Sequence, residues 1–494
     1  MFKYLQKHIV LTCSISILFI CTLIVFFATE ISYNTIESTS IWVRNNFGYF
    51  YLYLGFGCVL FLLSIAISPF GKIKLGTPDS KPEYSLWAWV AMLYSAGMGS
   101  GILLRAVQEP VFMQQHPPYA STLDSEILAL EFTFYQWGVT AWAFYGFFAM
   151  IVGYTLFVKH KKVNVSATIE DYVPSRTIKN GVDVVTIITT VFGLIAAIGL
   201  GTTQIKGGLT HVFQKPFGLI TIVLLCIAVS CVACYSAWQG VNKGIKLFSK
   251  LNIIVTFLIL CFVCIHSNIL DILNSFLKST YYYVLDFIPM SLALGEYNPG
   301  LSFLTGWTFY YWAFWLAWSP FTGIFIARIS KGRTLRQLLF GVLLIPSLGT
   351  FFWFSAFGTS AFQLIASWKD YNNEFGNVFS SIFIFFQHYP YAMVLNITTL
   401  FLLFSFLVTS IDSAVFVLSM FTDQGAKHPS KKHRIIWSGF ILLTTLALVL
   451  LGNVKPDVDV LDAVQKLLII TSLPFAIIIP FMSVIFLIDL IKNK

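Results

Sequence analysis

Charge is scarce in this chain. Asp, Glu, Lys and Arg together make up 11% of its 494 residues, against 57% hydrophobic and 17% aromatic residues. So little polar surface excludes a water-soluble globular domain, because no single core could hide that many apolar side chains. Histidine is sparse too. Its eight copies, at 8, 116, 160, 211, 266, 388, 428 and 433, fall mostly in loops or at helix ends. No acid, base, nucleophile or metal set is clustered at one depth, so neither an enzyme nor a resident cofactor is expected. The chain stops at LIDLIKNK, and no soluble regulatory domain is expected at either end.

The eight cysteines include Cys231-x-x-Cys234 and Cys261-x-x-Cys264, a spacing that can mark a metal or redox site. The two pairs fall near opposite ends of successive apolar windows, roughly 15 Å apart in depth at 1.5 Å rise per residue. One tetrahedral ion could not reach both, and buried inert thiols are expected instead.

In place of charge there are apolar runs. A helix needs about 20 such residues to cross about 30 Å of hydrocarbon. Twelve windows qualify: 9–29, 49–69, 86–107, 128–157, 184–205, 217–237, 251–268, 302–327, 338–358, 391–421, 435–453 and 467–489. The first follows Lys3 and Lys7 but lacks a small-x-small cleavage site, so it reads as a retained helix rather than a signal peptide. Placing the N-terminus inside puts 23 of the 31 Lys and Arg residues in cytoplasmic segments, 7 outside and Arg105 in the membrane. The net charge of +9 is therefore a topology signal. It is not a nucleic-acid surface, and both termini are expected in the cytoplasm.

After two N-terminal helices (1–85) the remaining windows divide into two sets of five, 86–269 and 300–494, flanking a stretch, 270–299, too mixed to span. An odd number of spans per set inserts the second set upside down, the pattern of inverted-repeat transporters. The intervening stretch carries Leu273, Phe276, Leu277, Tyr281, Val284 and Leu285 at helical spacing and reads as an interfacial amphipathic helix on the outer surface. The fold class is thus an all-α integral membrane protein with 12 transmembrane helices.

Each set opens with an interrupted helix. The first contains AGMGSGILLRAVQEP, with Gly97, Gly99, Gly101, Arg105, Glu109 and Pro110. The second is TGWTFYYWAFWLAWSPFTGIFIARISKGRT, expected to break at Ser319, Pro320 and Gly323. Alternate glycines tolerate unwound backbone and let it approach a ligand; proline frees the carbonyl one turn earlier. Small-residue helix packing explains the glycines but not their clustering with charge and proline. Trp137, Trp142 and Tyr145 share one side of a helix stepping 100° per residue, and Trp312, Trp315 and Trp318 form a stripe. Such stripes are usually core or an interfacial belt; they can also cage a trimethylammonium group, which has no N–H to donate, at roughly 0.5 to 2 kcal/mol per ring.

GMGSG followed by EP, Gln136-Trp137 with Trp142 and Tyr145, the long tryptophan-rich segment, and VTSIDS (408–413) together resemble the betaine, choline and carnitine transporter family, from about residue 85 to the C-terminus. The resemblance implies a leucine-transporter-like 5+5 fold in a plasma membrane, here a bacterial inner membrane, and an importer of a small solute. It implies substrate contacts at Trp137, Trp142, Tyr145, Trp315, Trp318, Gly97, Gly99, Gly101 and Arg105. A sodium site is implied at the Ser95 and Met98 carbonyls with the Thr409 and Ser410 hydroxyls, and a second near Phe321 and Phe406, with Thr202 and Thr203 as its candidate threonines. Members are often trimeric, so a homotrimer among membrane lipid is an expectation. Some members sense osmotic stress through a long charged C-terminal tail; with the sequence stopping at LIDLIKNK, that mode of sensing is not expected here.

Gly101 stands where sodium-independent members usually have Asp, which points to the sodium-coupled, betaine-like branch. Three departures stand out: Phe314-Trp315 replaces two adjacent tryptophans, Arg105 replaces an aromatic residue, and Ala106 stands where Gly is common. An arginine at that depth is costly unless paired. Either it pairs with Glu109 or Asp412, or its fork grips a substrate carboxylate, which selects a zwitterion over choline. An amino-acid carrier or carnitine-type exchanger, redirected by Arg105 and Phe314, is the alternative within transport.

Overall fold

A computed structural model describes residues 8–97, 99–239, 244–426, 428–456 and 458–492. Among them there is no β-strand; the one extended pairing is an isolated bridge between Lys74 and Thr334. Ten helical stretches, one of them jointed (125–157), are long and apolar enough to cross a membrane, as expected where the bilayer offers backbone groups no water to bond. The windows 86–107 and 302–327 are not among these ten. They fold as interrupted helices.

Helices α1 (Ile9–Phe27) and α2 (Thr29–Ile67) are joined at Ala28 without a loop. The apolar window of α1 is only 22% buried, against 89% for residues 125–157, so α1 lies at the periphery. The 49–69 window greatly understates α2, whose 39 residues extend about 58 Å at 1.5 Å rise. Its polar first half is pinned to the last helix: Lys466 Nζ lies 3.0 Å from Glu37 Oε2, 2.8 Å from Asp462 Oδ2 and 2.5 Å from the Tyr33 hydroxyl. Hydropathy cannot register a helix held by such a long-range polar cluster.

The first interrupted segment comprises α3 (Leu86–Gly97), α4 (Ser100–Arg105) and α5 (Gln108–Gln115). The break precedes α4, where Gly99 is extended at φ −123°, ψ −158°. Glycine breaks the next window as well. Residues 128–157 do not form one tilted helix but α6 (Ser125–Trp137) and α7 (Val139–Phe157), joined at Gly138. A Cβ on Gly138 would lie 2.5 Å from the Phe134 carbonyl oxygen and 2.7 Å from the Phe351 ring. Trp137 therefore does not share a helical face with Trp142 and Tyr145.

The chain continues through α8 (Arg176–Phe213), α9 (Leu219–Gln239), α10 (Gly244–His266) and α11 (Ile269–Leu292). The segment expected to lie at the interface is α11. Leu273, Leu277, Tyr281, Val284 and Leu285 are exposed along it, whereas Ser275, Ser279 and Tyr283 are buried against α6 and the later helix α14 (Leu335–Ser367). The cysteines depart from expectation, since Cys231 is exposed and Cys234, Cys261 and Cys264 are partly so; their sides of α9 and α10 face outward.

The second interrupted segment breaks elsewhere than its proline suggests. Short α12 (Gly300–Gly306) gives way at Trp307 (φ −122°, ψ −78°) to α13 (Thr308–Ile329), which runs unbroken through Ser319, Pro320 and Gly323. Gly323 serves packing instead. A Cβ there would meet Phe148 Cβ at 2.4 Å and the Ala149 backbone nitrogen at 3.0 Å. This allows α13 to lie directly on α7, the most extensive helix contact in the fold. Beyond α13, Gly332 (φ +81°) takes a conformation that other residues rarely adopt. There Arg333 sits 4.1 Å from the Trp89 ring centroid, and Trp89 Nε1 donates to the Ser330 hydroxyl at 3.0 Å. The basic loop thereby latches onto the start of α3. Helices α15 (Ser381–Gln387), α16 (Ala392–Thr422), α17 (Lys431–Leu451) and α18 (Val460–Lys492) complete the fold.

Gly323→Ala should lower stability by about 1–3 kcal/mol, the usual cost of overpacking, read as a lower thermal midpoint in detergent. An unchanged midpoint would show that the α7–α13 contact can yield.

Candidate functional site

The breaks at Gly99, Gly138 and Trp307 gather charged and aromatic side chains around a buried carboxylate. Glu109, on α5, is 0% exposed. Trp137 Nε1 donates to both of its oxygens at 3.2 Å, the Tyr311 hydroxyl donates to Oε2, and Arg105 Nε lies 3.9 Å away. A carboxylate taken out of water must find such partners within the protein. Here they come from α4, α6 and α13, so one charge ties three helices together. Arg105, 4% exposed, also donates to Gln108 Oε1 at 2.7 Å and stands 4.9 Å from the Trp307 centroid. Of its two expected structural partners Glu109 is present, whereas Asp412 accepts from the Ser236 hydroxyl at 3.1 Å instead.

Trp137 is also the first of a chain of rings. Its centroid lies 5.1 Å from Trp315 and 5.6 Å from Tyr311; Trp315 lies 6.1 Å from Tyr145, and Tyr145 lies 5.4 Å from Trp142. Trp315 Nε1 donates to the Gln136 carbonyl at 2.9 Å and Trp318 Nε1 to the Gly193 carbonyl at 3.0 Å, which fixes both indoles. These edge-on contacts are those that ring quadrupoles favour. Gly101 faces the same cluster: a Cβ there would come within 3.3 Å of the Trp137 ring. Gly99 has open space around it, and the side of Gly97 lies outside the described residues.

Trp318, Phe321, Phe406, Thr409 and Ser410 line a cavity of about 380 Å³ together with Tyr94. Four of the residues expected near sodium are thus brought together, beside the end of α3. Thr409 donates to the Ser405 and Phe406 carbonyls, each at 3.0 Å, the back-bonding usual for a helical threonine; its oxygen keeps lone pairs for an ion. Met98 and the side chain of Ser95 lie outside the described residues. Thr202 and Thr203 are not at this cavity. Thr203 borders a second one, of about 490 Å³, with Arg105, Gln108, Lys206 and Asp459, while Thr202 bonds within its own helix to the Ile198 carbonyl.

Sequence reasoning missed the Glu109–Tyr311 bond. Both residues stand in the quoted motifs, but 202 positions separate them, and no helical periodicity spans such a gap.

Comparison with known proteins completes the picture. Residues 9–494 match the family model for "BCCT, betaine/carnitine/choline family transporter". The chain belongs to the BCCT family. It is 37% identical to the glycine betaine transporter OpuD of Bacillus subtilis, covering 90% of this chain and 87% of that one. With the ectoine/hydroxyectoine transporter of Virgibacillus pantothenticus it shares 35% identity over 89% and 88%. For the high-affinity choline transport protein of Escherichia coli the identity is 32% over 94% and 69%. In fold it resembles the crystal structure of MhsT in complex with L-phenylalanine, at a TM-score of 0.51 and 15% identity, covering 81% of this chain and 88% of that one. This BCCT protein is a multi-pass membrane transporter.

Tyr311→Phe removes one donor from the buried carboxylate and should cost about 1–3 kcal/mol of stability, seen as a lower thermal midpoint. An equal midpoint would mean that Trp137 and Arg105 satisfy Glu109 without it.

Proposed function

We propose that this transporter imports a small zwitterionic quaternary-ammonium solute, glycine betaine-like, coupled to sodium by alternating access. The observation that carries this reading is that α13 bears both Trp315 of the aromatic cluster and, one turn on, Trp318 and Phe321, which line the cavity holding Thr409 and Ser410. Ring faces can select a methylated cation that offers no N–H. Hydroxyl and carbonyl oxygens suit a hard ion such as sodium.

In this reading Trp137, Trp142, Tyr145, Trp315 and Trp318 receive the ammonium head, with Gly99 and Gly101 giving it room. The ring centroids lie 5.1 to 6.1 Å apart, so the rings occupy one another's faces, and loading the solute requires them to part. Arg105 has donors beyond those given to Glu109 and Gln108, and it borders the 490 Å³ cavity. It meets the solute carboxylate on entry. Windows 86–107 and 302–327 cross the membrane as interrupted helices, completing twelve spans and two inverted sets of five, 86–269 and 300–494, behind two peripheral N-terminal helices (1–85). Both termini are cytoplasmic, and the protein works in a bacterial inner membrane as a homotrimer. Each sodium moving inward with the potential contributes about 2.3 kcal/mol per 100 mV, enough for two ions to concentrate a neutral solute strongly.

Uptake of labelled glycine betaine into proteoliposomes should depend on an inward sodium gradient. Uptake that proceeds equally in potassium, or only by exchange against preloaded solute, would favour the exchanger reading. Arg105→Gln should reduce betaine transport about tenfold more than choline transport, a difference of about 1.4 kcal/mol; equal losses would assign Arg105 to Glu109 alone. Ser410→Ala should raise the half-saturating sodium concentration several-fold, and an unchanged value would remove Ser410 from the ion site.

A further inference from the structure

Far in sequence from the aromatic cluster, three side chains that no part of the transport reading uses converge where the first helix meets the junction of α16 and α17. His8 precedes α1, Asp423 follows the last residue of α16, and His433 lies in the first turn of α17. One potential ligand atom from each lies within 4.8 Å of the other two. The imidazoles are 4.9 Å apart and edge-on, and both are buried, at 8% and 1% exposure.

Thr422 fixes how these rings carry their protons. Its hydroxyl donates to the Leu418 carbonyl at 2.9 Å. The same oxygen therefore accepts, both from Trp437 Nε1 at 3.1 Å and from His433 Nδ1 at 3.0 Å. The Thr422 carbonyl, in turn, can only accept, and His8 Nδ1 lies 3.3 Å from it. In the neutral form each ring then carries its proton on Nδ1 and its lone pair on Nε2. A hydrogen bond at one ring nitrogen that sets the tautomer and aims the other is the arrangement found around metal-ligating histidines. The carboxylate is positioned as well, since Asp423 Oδ2 accepts from the Ser430 backbone N–H at 2.9 Å.

We propose that His8, Asp423 and His433 form a binding site for a divalent transition-metal ion of the zinc class. Two imidazoles and a carboxylate suit zinc, nickel or ferrous iron rather than calcium or magnesium. Ligand bonds of about 2.0–2.2 Å place tetrahedral ligand atoms roughly 3.3 Å apart, so atoms now within 4.8 Å of one another must draw in by up to about 1.5 Å, which side-chain rotation supplies. Three ligands leave a position for water or one more donor. The ion would clamp α1 to the end of α16, the helix that also carries Thr409 and Ser410. The ordinary alternative is that the same hydrogen bonds merely pin α1 in place, with no affinity for metal.

The test uses the full-length protein, purified in detergent with an affinity tag that contains no histidine, and titrated with zinc or cobalt(II) alone. The site predicts one equivalent of zinc per chain, a cobalt(II) visible spectrum of tetrahedral nitrogen and oxygen ligation, and a raised thermal midpoint with zinc. His8→Gln, Asp423→Asn and His433→Gln should each weaken zinc at least about tenfold while eluting as monodisperse protein. Absence of stoichiometric zinc binding by the wild type overturns the proposal. So do variants that bind as tightly as the wild type. X-ray absorption of the zinc-loaded wild type provides a measurement independent of variant folding: two imidazoles in the shell support the site, and none refutes it.

Discussion

The architecture around the candidate site depends on keeping one charge out of water. Glu109 is fully buried, and an uncompensated carboxylate in that setting costs several kcal/mol. Its partners reach it only because the first interrupted segment turns at Gly99 and again before α5, Gly138 separates Trp137 from α7, and Trp307 releases α13 from α12. The breaks and the ion pair explain each other. Glycines without the carboxylate would leave loose joints, and the carboxylate without the breaks could not gather donors from three helices.

That arrangement also accounts for the two kinds of aromatic residue. Trp137 and Tyr311 spend their polar atoms on Glu109, while Trp315 and Trp318 spend theirs on backbone carbonyls at Gln136 and Gly193. Each indole is therefore aimed by a hydrogen bond at its edge and offers its face to a neighbour. The cavity holding Thr409 and Ser410 is bordered by Trp318 and Phe321 of α13, the helix that also carries Tyr311 and Trp315.

Much of this was legible in the sequence, for identifiable reasons. Ten apolar spans follow directly from bilayer thickness, and the break near Gly99 follows from three alternate glycines. The Arg105–Glu109 pair follows from i,i+4 spacing. Other features were hidden. Pro320 promised a break that α13 does not make; the missing N–H is tolerated, and the small residue nearby, Gly323, is used for close packing against α7. Gly138 looked unremarkable inside an apolar run, yet it divides a helix and sets Trp137 apart from Trp142 and Tyr145. The polar half of α2 carried no hydropathy signal because Lys466 holds it from over 400 positions away. Contacts at such separations leave no periodicity to read.

The central claim is that these rings bind the solute while the cavity holding the Thr409 and Ser410 hydroxyls binds sodium. Intrinsic tryptophan fluorescence of the purified protein tests it most directly, titrated with glycine betaine, choline, carnitine, ectoine and proline, each in sodium and in potassium. The account predicts a saturable change with glycine betaine in sodium that is lost in potassium and abolished by Trp315→Leu. A response identical in both salts, or one that survives that substitution, would contradict it.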